Sequence, residues 1–339
     1  MNKALRELTL VRFREFIREP EAVFWVFIFP ILLAAGLGLA FRNRPPEVLT
    51  IGAVTPELTS ILRQEKLLNV EQFEHSAGQQ ALRTGRIALL AMPVGNTVHF
   101  RYDDTNPEGR SARMLADRAV QRNAGRVDPV PSNDQIMREA GSRYIDFLVP
   151  GLLGMNLMGS AIWGMGFGIV DARRKKLLKR LIATPMPRHY YLFSFILSRL
   201  LMLVVEVGAL VGFGLLVFGV PLRGSVLAFT LLCVLGSMSF CAIGLLIASR
   251  AQTIEGASGI MNLVMMPMWI LSGVFFSSQR FPDVIQPVIK ALPLTALIDG
   301  LRANMLQGAG FRELAIYIAI LTTWLIVSFV VALKIFRWR

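Results

Sequence analysis

The sequence alternates between long apolar stretches and shorter polar ones. Six stretches are long and apolar enough to cross a bilayer, namely residues 22–41, 145–170, 190–218, 225–248, 256–276 and 314–336. A helix of about 20 apolar residues spans the ~30 Å hydrocarbon layer. The pattern therefore predicts a polytopic α-helical membrane protein with about six transmembrane helices.

The first apolar stretch follows a charged preamble, residues 1–21, in which basic, acidic and apolar side chains are interleaved. This preamble predicts an amphipathic helix lying in the plane of the membrane interface. A secretory signal is the alternative interpretation, but the apolar core is too long for one and the preamble too elaborate. Pro30 interrupts the stretch, which membrane helices tolerate.

Two polar regions interrupt the spans. Residues 42–143 hold short segments typical of strands (48–54, 87–92 and 97–102) and of helices (57–66 and 108–122). This alternation predicts a small α/β domain between the first two spans. Residues 277–310 are polar and broken by prolines, which predicts a re-entrant hairpin of short helices.

Charge orients the chain in the membrane. The net charge is +13, and the basic clusters fall in 1–21, 171–189, 249–255 and 334–339. The positive-inside rule places these regions, and so both termini, in the cytoplasm, which makes the α/β domain extracytoplasmic. Basic runs that flank apolar spans contact membrane lipid and do not indicate nucleic-acid binding. We therefore expect a multi-pass protein of the cytoplasmic (inner) membrane.

Residues 171–189, called the basic segment below, carry the densest positive charge. On a helix, the apolar residues of the segment gather on one side and most charges on the other. Pro185 and Pro187 end the segment just before the third span. It cannot cross a bilayer, so we predict an amphipathic helix at the cytoplasmic face that presses on either anionic lipid or another protein.

Few polar side chains lie inside the spans. Glu206 is well inside the third span, and Arg199 is nearer the cytoplasm, where its side chain can snorkel to the interface. The two residues are seven apart and share a helix face, so a structural tie and a functional site are both open. Asn156 and Asn262 are expected to join helices or to line a substrate path.

Methionines cluster around Pro267 in the fifth span. They are Met261, Met265, Met266 and Met268, beside Trp269. Such a soft surface would suit varied apolar cargo, with lipid-facing packing as the alternative. Cys233 and Cys241 lie in one apolar stretch, which indicates packing residues and not a disulfide or a metal site.

Several enzyme motifs are missing from the sequence. It has no G-x-x-x-x-G-K-[ST], H-E-x-x-H or G-x-S-x-G, and its three histidines are scattered. We therefore expect no enzymatic activity, no cofactor and no metal in this chain. Any ATP-binding loop of this type would have to be supplied by another chain.

Three passages, taken in order, resemble the ABC type-2 permease family, the membrane subunits of bacterial ABC exporters. LLKRLIATP at 177–185 resembles the short cytoplasmic helix of that family, which ends in Leu-x-x-Thr-Pro. MNLVMMPMWILSGVFF at 261–276 resembles its fifth span, and LPLTALIDGLR at 292–302 its outer hairpin. One departure is that Lys176-Leu177 stands where many members have Gly-Thr.

The resemblance implies a permease that works with a separate cytoplasmic ABC ATPase carrying ATP and Mg, and with a second permease copy or a sister permease. Cargo, expected to be lipophilic drugs or lipids, would move outward between the two membrane halves. The basic segment would be the coupling helix that contacts the ATPase. The resemblance assigns that contact to Arg173, Arg174, Lys175, Lys176, Leu177, Leu178, Lys179, Arg180, Leu181, Thr184 and Pro185. A second set of candidate residues lies inside the spans, at substrate-path or interhelix sites: Asn156, Arg199, Glu206, Asn262 and Met266.

Two other functions remain open from the sequence. An ion-coupled secondary transporter would depend on Glu206 almost alone, and no internal repeat is evident. A non-transporting membrane anchor with a partner-binding outer domain would need only one span, which leaves five spans without a role.

Overall fold

The computed structural model describes residues 3–42, 48–95, 97–127, 141, 143–176, 188–251 and 253–335. The chain divides into two compact units. Met1–Arg42 and Met137–Arg339 form one, called the membrane unit below, and Asn43–Ile136 form the other, called the α/β unit.

The described part of the membrane unit contains helices and their connections, and no strand. It begins with α1 (Lys3–Ile17), and six helices that follow are long and apolar enough to cross a membrane, which confirms the polytopic helical prediction. The first span joins α2 (Pro20–Val23), a π-helical turn (Phe24–Ile28) and α3 (Phe29–Arg42). The other five are α7 (Tyr144–Arg174), α8 (Arg188–Phe218), α9 (Val226–Arg250), α10 (Ile254–Leu271) and α13 (Phe311–Ile335).

Helices α7 and α9 form the centre of the bundle. Of an 18-residue apolar stretch in each span, 78% is buried in α7 and 72% in α9, against 17–33% in the other four spans. The core around them is built from large apolar side chains such as Leu148, Leu152, Leu157, Met158 and Phe240. Any displacement of α7 is therefore transmitted to several neighbours, because close-packed interiors have few voids to absorb it.

Glycine allows α7 and α9 to approach backbone to backbone. A Cβ atom added at Gly244 of α9 would lie 2.8 Å from the carbonyl oxygen of Ile162 in α7 and 3.1 Å from its Cα. Small residues at such crossings are typical of membrane helix pairs. Because both contacted atoms belong to the backbone, relief of the clash would require the helices themselves to move.

Gly244→Ala is expected to lower the free energy of unfolding by about 1–3 kcal/mol, since the added methyl group overpacks this crossing. Gly212→Ala in α8 is the matched control. Among the residues that the structure describes, no atom outside its own helix lies within 4 Å of a Cβ at Gly212, and alanine is the better helix former by about 1 kcal/mol. Thermal unfolding in detergent should separate the two variants. Equal midpoints would show that the α7–α9 crossing tolerates the extra volume.

Two short helices bend back at one end of the bundle. Single turns at Ser278–Arg280 and Asp283–Ile285 lead into α11 (Gln286–Ala291) and α12 (Pro293–Gln307). The Asp283–Ala291 and Pro293–Gln307 helical segments meet at 84°, the geometry of a broken span or a re-entrant loop. Pro293 starts α12 because its fixed φ suits the first turn of a helix and its missing N–H is not needed there. Gly308, with φ of +74°, ends it.

The α/β unit is a four-stranded mixed sheet with order β2-β1-β3-β4. Its strands are β1 (Leu49–Ala53), β2 (Leu68–Gln72), β3 (Leu89–Val94) and β4 (Thr97–Tyr102). Strand β1 pairs in parallel with both β2 and β3, with Ile51 opposite Val70, and β3 pairs with β4 in antiparallel fashion. Helices α4 (Pro56–Leu62), α5 (His75–Arg83) and α6 (Pro107–Asn123) connect and cover them.

The sequence pattern missed two elements of this unit, β2 and α5. In β2 only Leu68 and Val70 are buried, so its alternating signal is two residues long. In α5 the buried residues are Gly78 and Ala81, which carry little hydrophobic signal.

Candidate functional site

The basic segment begins at the C-terminal end of α7. Arg174, Lys175 and Lys176 are exposed there, and Lys176 has φ of +57°, a left-handed conformation that ends the helix. Lys175 Nζ lies 2.7 Å from Asp171 Oδ2, and this hydrogen-bonded carboxylate raises the pKa of Lys175. Positive charge is therefore presented to solvent directly after a buried helix.

The rest of the predicted contact lies outside the described residues. This applies to Leu177, Leu178, Lys179, Arg180, Leu181, Thr184 and Pro185.

Arg173 differs from its exposed neighbours because its guanidinium contacts another helix. Nη1 donates to the carbonyl oxygens of Ala248 at 3.0 Å and Ala251 at 2.8 Å. These two residues end α9, where carbonyl groups have no partner within the helix and the helix dipole favours a cation. Arg173 thus joins the end of α7 to the end of α9.

An ion pair lies buried between three helices. Arg199 and Glu206 of α8 are 8% and 2% exposed. Arg199 Nη1 and Nη2 lie 2.8 and 3.0 Å from Glu206 Oε1 and Oε2, a bidentate arrangement. The expectation that Arg199 snorkels to the interface is wrong, because its guanidinium lies inside the bundle. Side chains lean toward a helix N-terminus, so Glu206 leans back toward Arg199.

Hydroxyl groups from the two central helices complete this cluster. Arg199 Nε donates to Ser237 Oγ of α9 at 2.6 Å, and Ser160 Oγ of α7 donates to Glu206 Oε2 at 3.0 Å. Arg199 Nη2 also reaches the carbonyl oxygen of Leu157 at 3.5 Å. An ion pair has no net charge, so it can lie within a bundle when its hydrogen bonds are satisfied, whereas a single charge there would be costly. The geometry is that of a tie between α7, α8 and α9.

Asn156 compensates for a proline in the first span. Pro30 has no N–H to donate to the carbonyl oxygen of Val26, four residues earlier, and Asn156 Nδ2 of α7 donates to that oxygen at 3.0 Å. The amide therefore joins the first span to α7, one of the two roles that the sequence left open.

The methionine cluster does not form one surface. Met261, Met265 and Met268 are buried, with 0%, 0% and 6% exposed, whereas Met266 is 61% exposed. Asn262 lies on the exposed side of α10 as well. The expected adaptable surface thus reduces to one exposed methionine beside an amide, because the other three side chains point inward at helical spacing.

Sequence reasoning gave no role to Arg302 in α12. Its Nε and Nη2 atoms donate to the carbonyl oxygen of Phe147 at 3.2 and 3.1 Å, and Nη2 donates to that of Gly273 at 2.6 Å. The guanidinium carbon lies 3.5 Å from the centroid of the Phe147 ring, a cation–π contact. The feature of the sequence that could have indicated this role is a single arginine in an apolar stretch flanked by proline.

Near the same end of α7, Tyr144 Oη donates to the carbonyl oxygen of Phe275 at 3.1 Å. Arginine side chains therefore connect α7 to three other helices at three positions along its length. Arg302 connects it to α12, Arg199 to α8 and Arg173 to α9. Within the described ranges, no group of three or more His, Cys, Asp or Glu is placed to hold a metal ion.

Relatives of this chain include proteins named as an inner membrane transport permease and as an ABC transporter. The chain is 26% identical to the inner membrane transport permease YadH of Escherichia coli (strain K12) over 202 residues, which cover 58% of this chain and 75% of that one. It is 26% identical to nodulation protein J of Bradyrhizobium diazoefficiens over 208 residues, 60% of this chain and 77% of that one. It is 27% identical to ABC transporter G family member 20 of Dictyostelium discoideum over 187 residues, 55% of this chain and 26% of that one.

The match to a protein family is longer than any of these alignments. The family model described as "ABC-2 family transporter protein" matches residues 21–334, which hold all six spans, the α/β unit and the bent helices α11 and α12. The chain belongs to the ABC-2 family of transporter proteins.

Proposed function

We propose that this chain is the permease subunit of an ABC exporter whose ATP hydrolysis takes place on a separate ATPase chain. The observation that carries the proposal is the exposed charge of Arg174, Lys175 and Lys176 at the end of α7, the most buried span. Force applied to these residues enters the bundle at its centre. An ATPase that docks there needs no ATP site in the permease, so ATP and Mg belong to that partner.

The proposed topology follows from charge. Both termini and the basic segment lie in the cytoplasm, because lysine and arginine concentrate in these short regions. The α/β unit is then extracytoplasmic, as is the hairpin of α11 and α12. The names of the inner membrane permeases among its relatives support a bacterial inner-membrane location.

We propose two copies of this permease, or this chain with a sister permease, around one pathway. The proposed cargo is lipophilic, either drugs removed by efflux or lipids, and it moves outward. Long apolar helix faces support such cargo: Leu263 and Met266 of α10, for example, are 73% and 61% exposed. Cargo that enters from the bilayer would meet these faces first.

Charge reversal at the basic segment tests the contact with the ATPase. Arg174→Glu with Lys175→Glu is expected to lower copurification of a coexpressed ATPase by about tenfold or more, because the docking surface would change sign. Arg110→Glu with Arg118→Glu on α6 is the matched control, since both side chains are exposed and carry the same charge. The amount of ATPase that copurifies with this control should equal the amount that copurifies with the unmodified chain.

The assay uses an ATPase encoded next to the permease, with both chains purified in detergent. Equal recovery of the ATPase with all three permeases would overturn the proposed docking role. Loss of recovery that is restored by added anionic lipid would instead show that the segment acts through the membrane surface.

The structure weighs against an ion-coupled secondary transporter. Such a transporter would depend on Glu206 to carry a proton, but both oxygens of this carboxylate are held by Arg199, and one also accepts from Ser160. The family match across all six spans likewise weighs against a single-span anchor.

A further inference from the structure

We propose that Arg173 is a positioning residue of the transport cycle: it passes displacement of the exposed residues Arg174, Lys175 and Lys176 to α9 and to the start of α10. This inference rests on the proposed function, since it assumes that an ATPase moves the basic segment. In the part of the chain that the structure describes, the guanidinium of Arg173 links the end of α7 to the end of α9 through two hydrogen bonds.

Although Arg173 lies within residues 171–189, it belongs to helix α7 and not to the exposed charges beyond it. The backbone N–H of Lys176 donates to the carbonyl oxygen of Arg173 at 3.0 Å, and that of Lys175 donates to Asp171 at 2.9 Å. The left-handed residue Lys176 comes three positions later. Arg173 therefore sits on the last rigid turn of α7, directly before the exposed charges.

The contact of Arg173 continues the close crossing of α7 and α9. Ile162, Gly166 and Arg173 are spaced by four and seven residues, so they share one face of α7. The facing residues include Gly244, whose Cβ position lies against the carbonyl oxygen of Ile162.

On α9, Gly244 is followed at helical spacing by Ala248 and then by Ala251, the two residues whose carbonyl oxygens accept from Arg173. The arginine contact thus closes one end of a seam that is already tight in the bundle interior. Two helices held at both places have little freedom to slide past each other.

The same contact lies next to the start of α10. Ala251 caps the C-terminus of α9, and Thr253 caps the N-terminus of α10, with its Oγ1 accepting from the N–H of Gly256 at 3.1 Å. A guanidinium bonded to the carbonyl oxygen of Ala251 therefore holds the C-cap of α9, two residues before the N-cap of α10. Displacement at the basic segment would reach α9 and α10 together through this residue.

Arg173→Gln tests the inference because glutamine keeps a polar side chain but is shorter and uncharged. In the permease alone, reconstituted in nanodiscs, amide exchange in peptides that cover 247–257 is expected to become roughly tenfold faster, since charge-assisted bonds to two carbonyl groups are lost. Arg173→Lys should recover part of the protection. Arg250→Gln is the matched control, as Arg250 is an exposed cation at the same end of α9. Unchanged exchange in Arg173→Gln would overturn the inference.

A second measurement addresses transport. With the ATPase bound in proteoliposomes, ethidium and NBD-labelled phosphatidylethanolamine serve as probes of outward movement. We expect Arg173→Gln to move several-fold less probe for each ATP hydrolysed, whereas Arg250→Gln should keep the native ratio.

A merely structural role would lower assembly and leave that ratio unchanged, which would contradict the inference while the proposed function stands. If the unmodified complex neither binds an ATPase nor moves either probe with ATP, the proposed function fails. The exchange experiment still decides whether Arg173 holds the turn.

Discussion

Replacing Glu206 with leucine is expected to lower the free energy of unfolding of the membrane unit by about 3–5 kcal/mol, because Arg199 would remain charged in the bundle without its partner. Arg199 is 8% exposed, so water cannot take the place of the carboxylate. Ser160 Oγ would lose its acceptor on Glu206 as well. Thermal or denaturant unfolding in detergent micelles measures the change.

The double variant Arg199→Met with Glu206→Leu is the control for this prediction. Replacing both members of a buried pair with apolar residues of similar volume is often neutral, so most of the stability lost in Glu206→Leu should return. Ser237 and Ser160 can then bond to carbonyl oxygens of their own helices. If the double variant were as unstable as the sum of the two single variants, the pair would not be coupled and the described tie would be wrong.

The spans were predictable because each carries a long, strong hydrophobic signal. All six expected apolar stretches correspond to helices that can cross a membrane. The side of the membrane on which the basic segment lies stays a prediction from charge. The strands of the α/β unit were partly predictable, since β4 was expected at 97–102 and is found at Thr97–Tyr102, whereas β2 is too short to show a period.

Contacts between helices were not predictable, because they depend on which faces meet. The sequence shows that Arg199 and Glu206 share a face, but the hydroxyl groups that complete their cluster come from other spans, 38 and 46 residues away. Likewise, nothing local indicates that Asn156 bonds to a carbonyl group freed by Pro30. In the sequence, Arg173 looks like one more charge of a basic run. Its contact with the end of α9 is evident only in the structure.

Replacing Arg302 with methionine is expected to free α12 from α7 and to lower the free energy of unfolding by about 2–4 kcal/mol. Two carbonyl oxygens, those of Phe147 and Gly273, would lose charge-assisted hydrogen bonds, and the Phe147 ring would lose its cation. Unfolding midpoints and limited proteolysis within 277–310 report the effect. Arg280→Met, an exposed arginine in the same stretch, should match the unmodified chain.

A double-mutant cycle with Phe147→Leu separates the two kinds of contact. Leucine at 147 keeps the carbonyl oxygen and removes only the ring, so the coupling energy with Arg302→Met measures the cation–π part, about 0.5–2 kcal/mol. The remaining loss in Arg302→Met then belongs to the hydrogen bonds and to the ion pair in which Arg302 Nη1 lies 3.8 Å from Asp299 Oδ1. If Arg302→Met had the same unfolding midpoint and the same protease resistance as Arg280→Met, apolar packing alone would hold α12. Movement of α7 would then have no polar connection to the hairpin through Arg302.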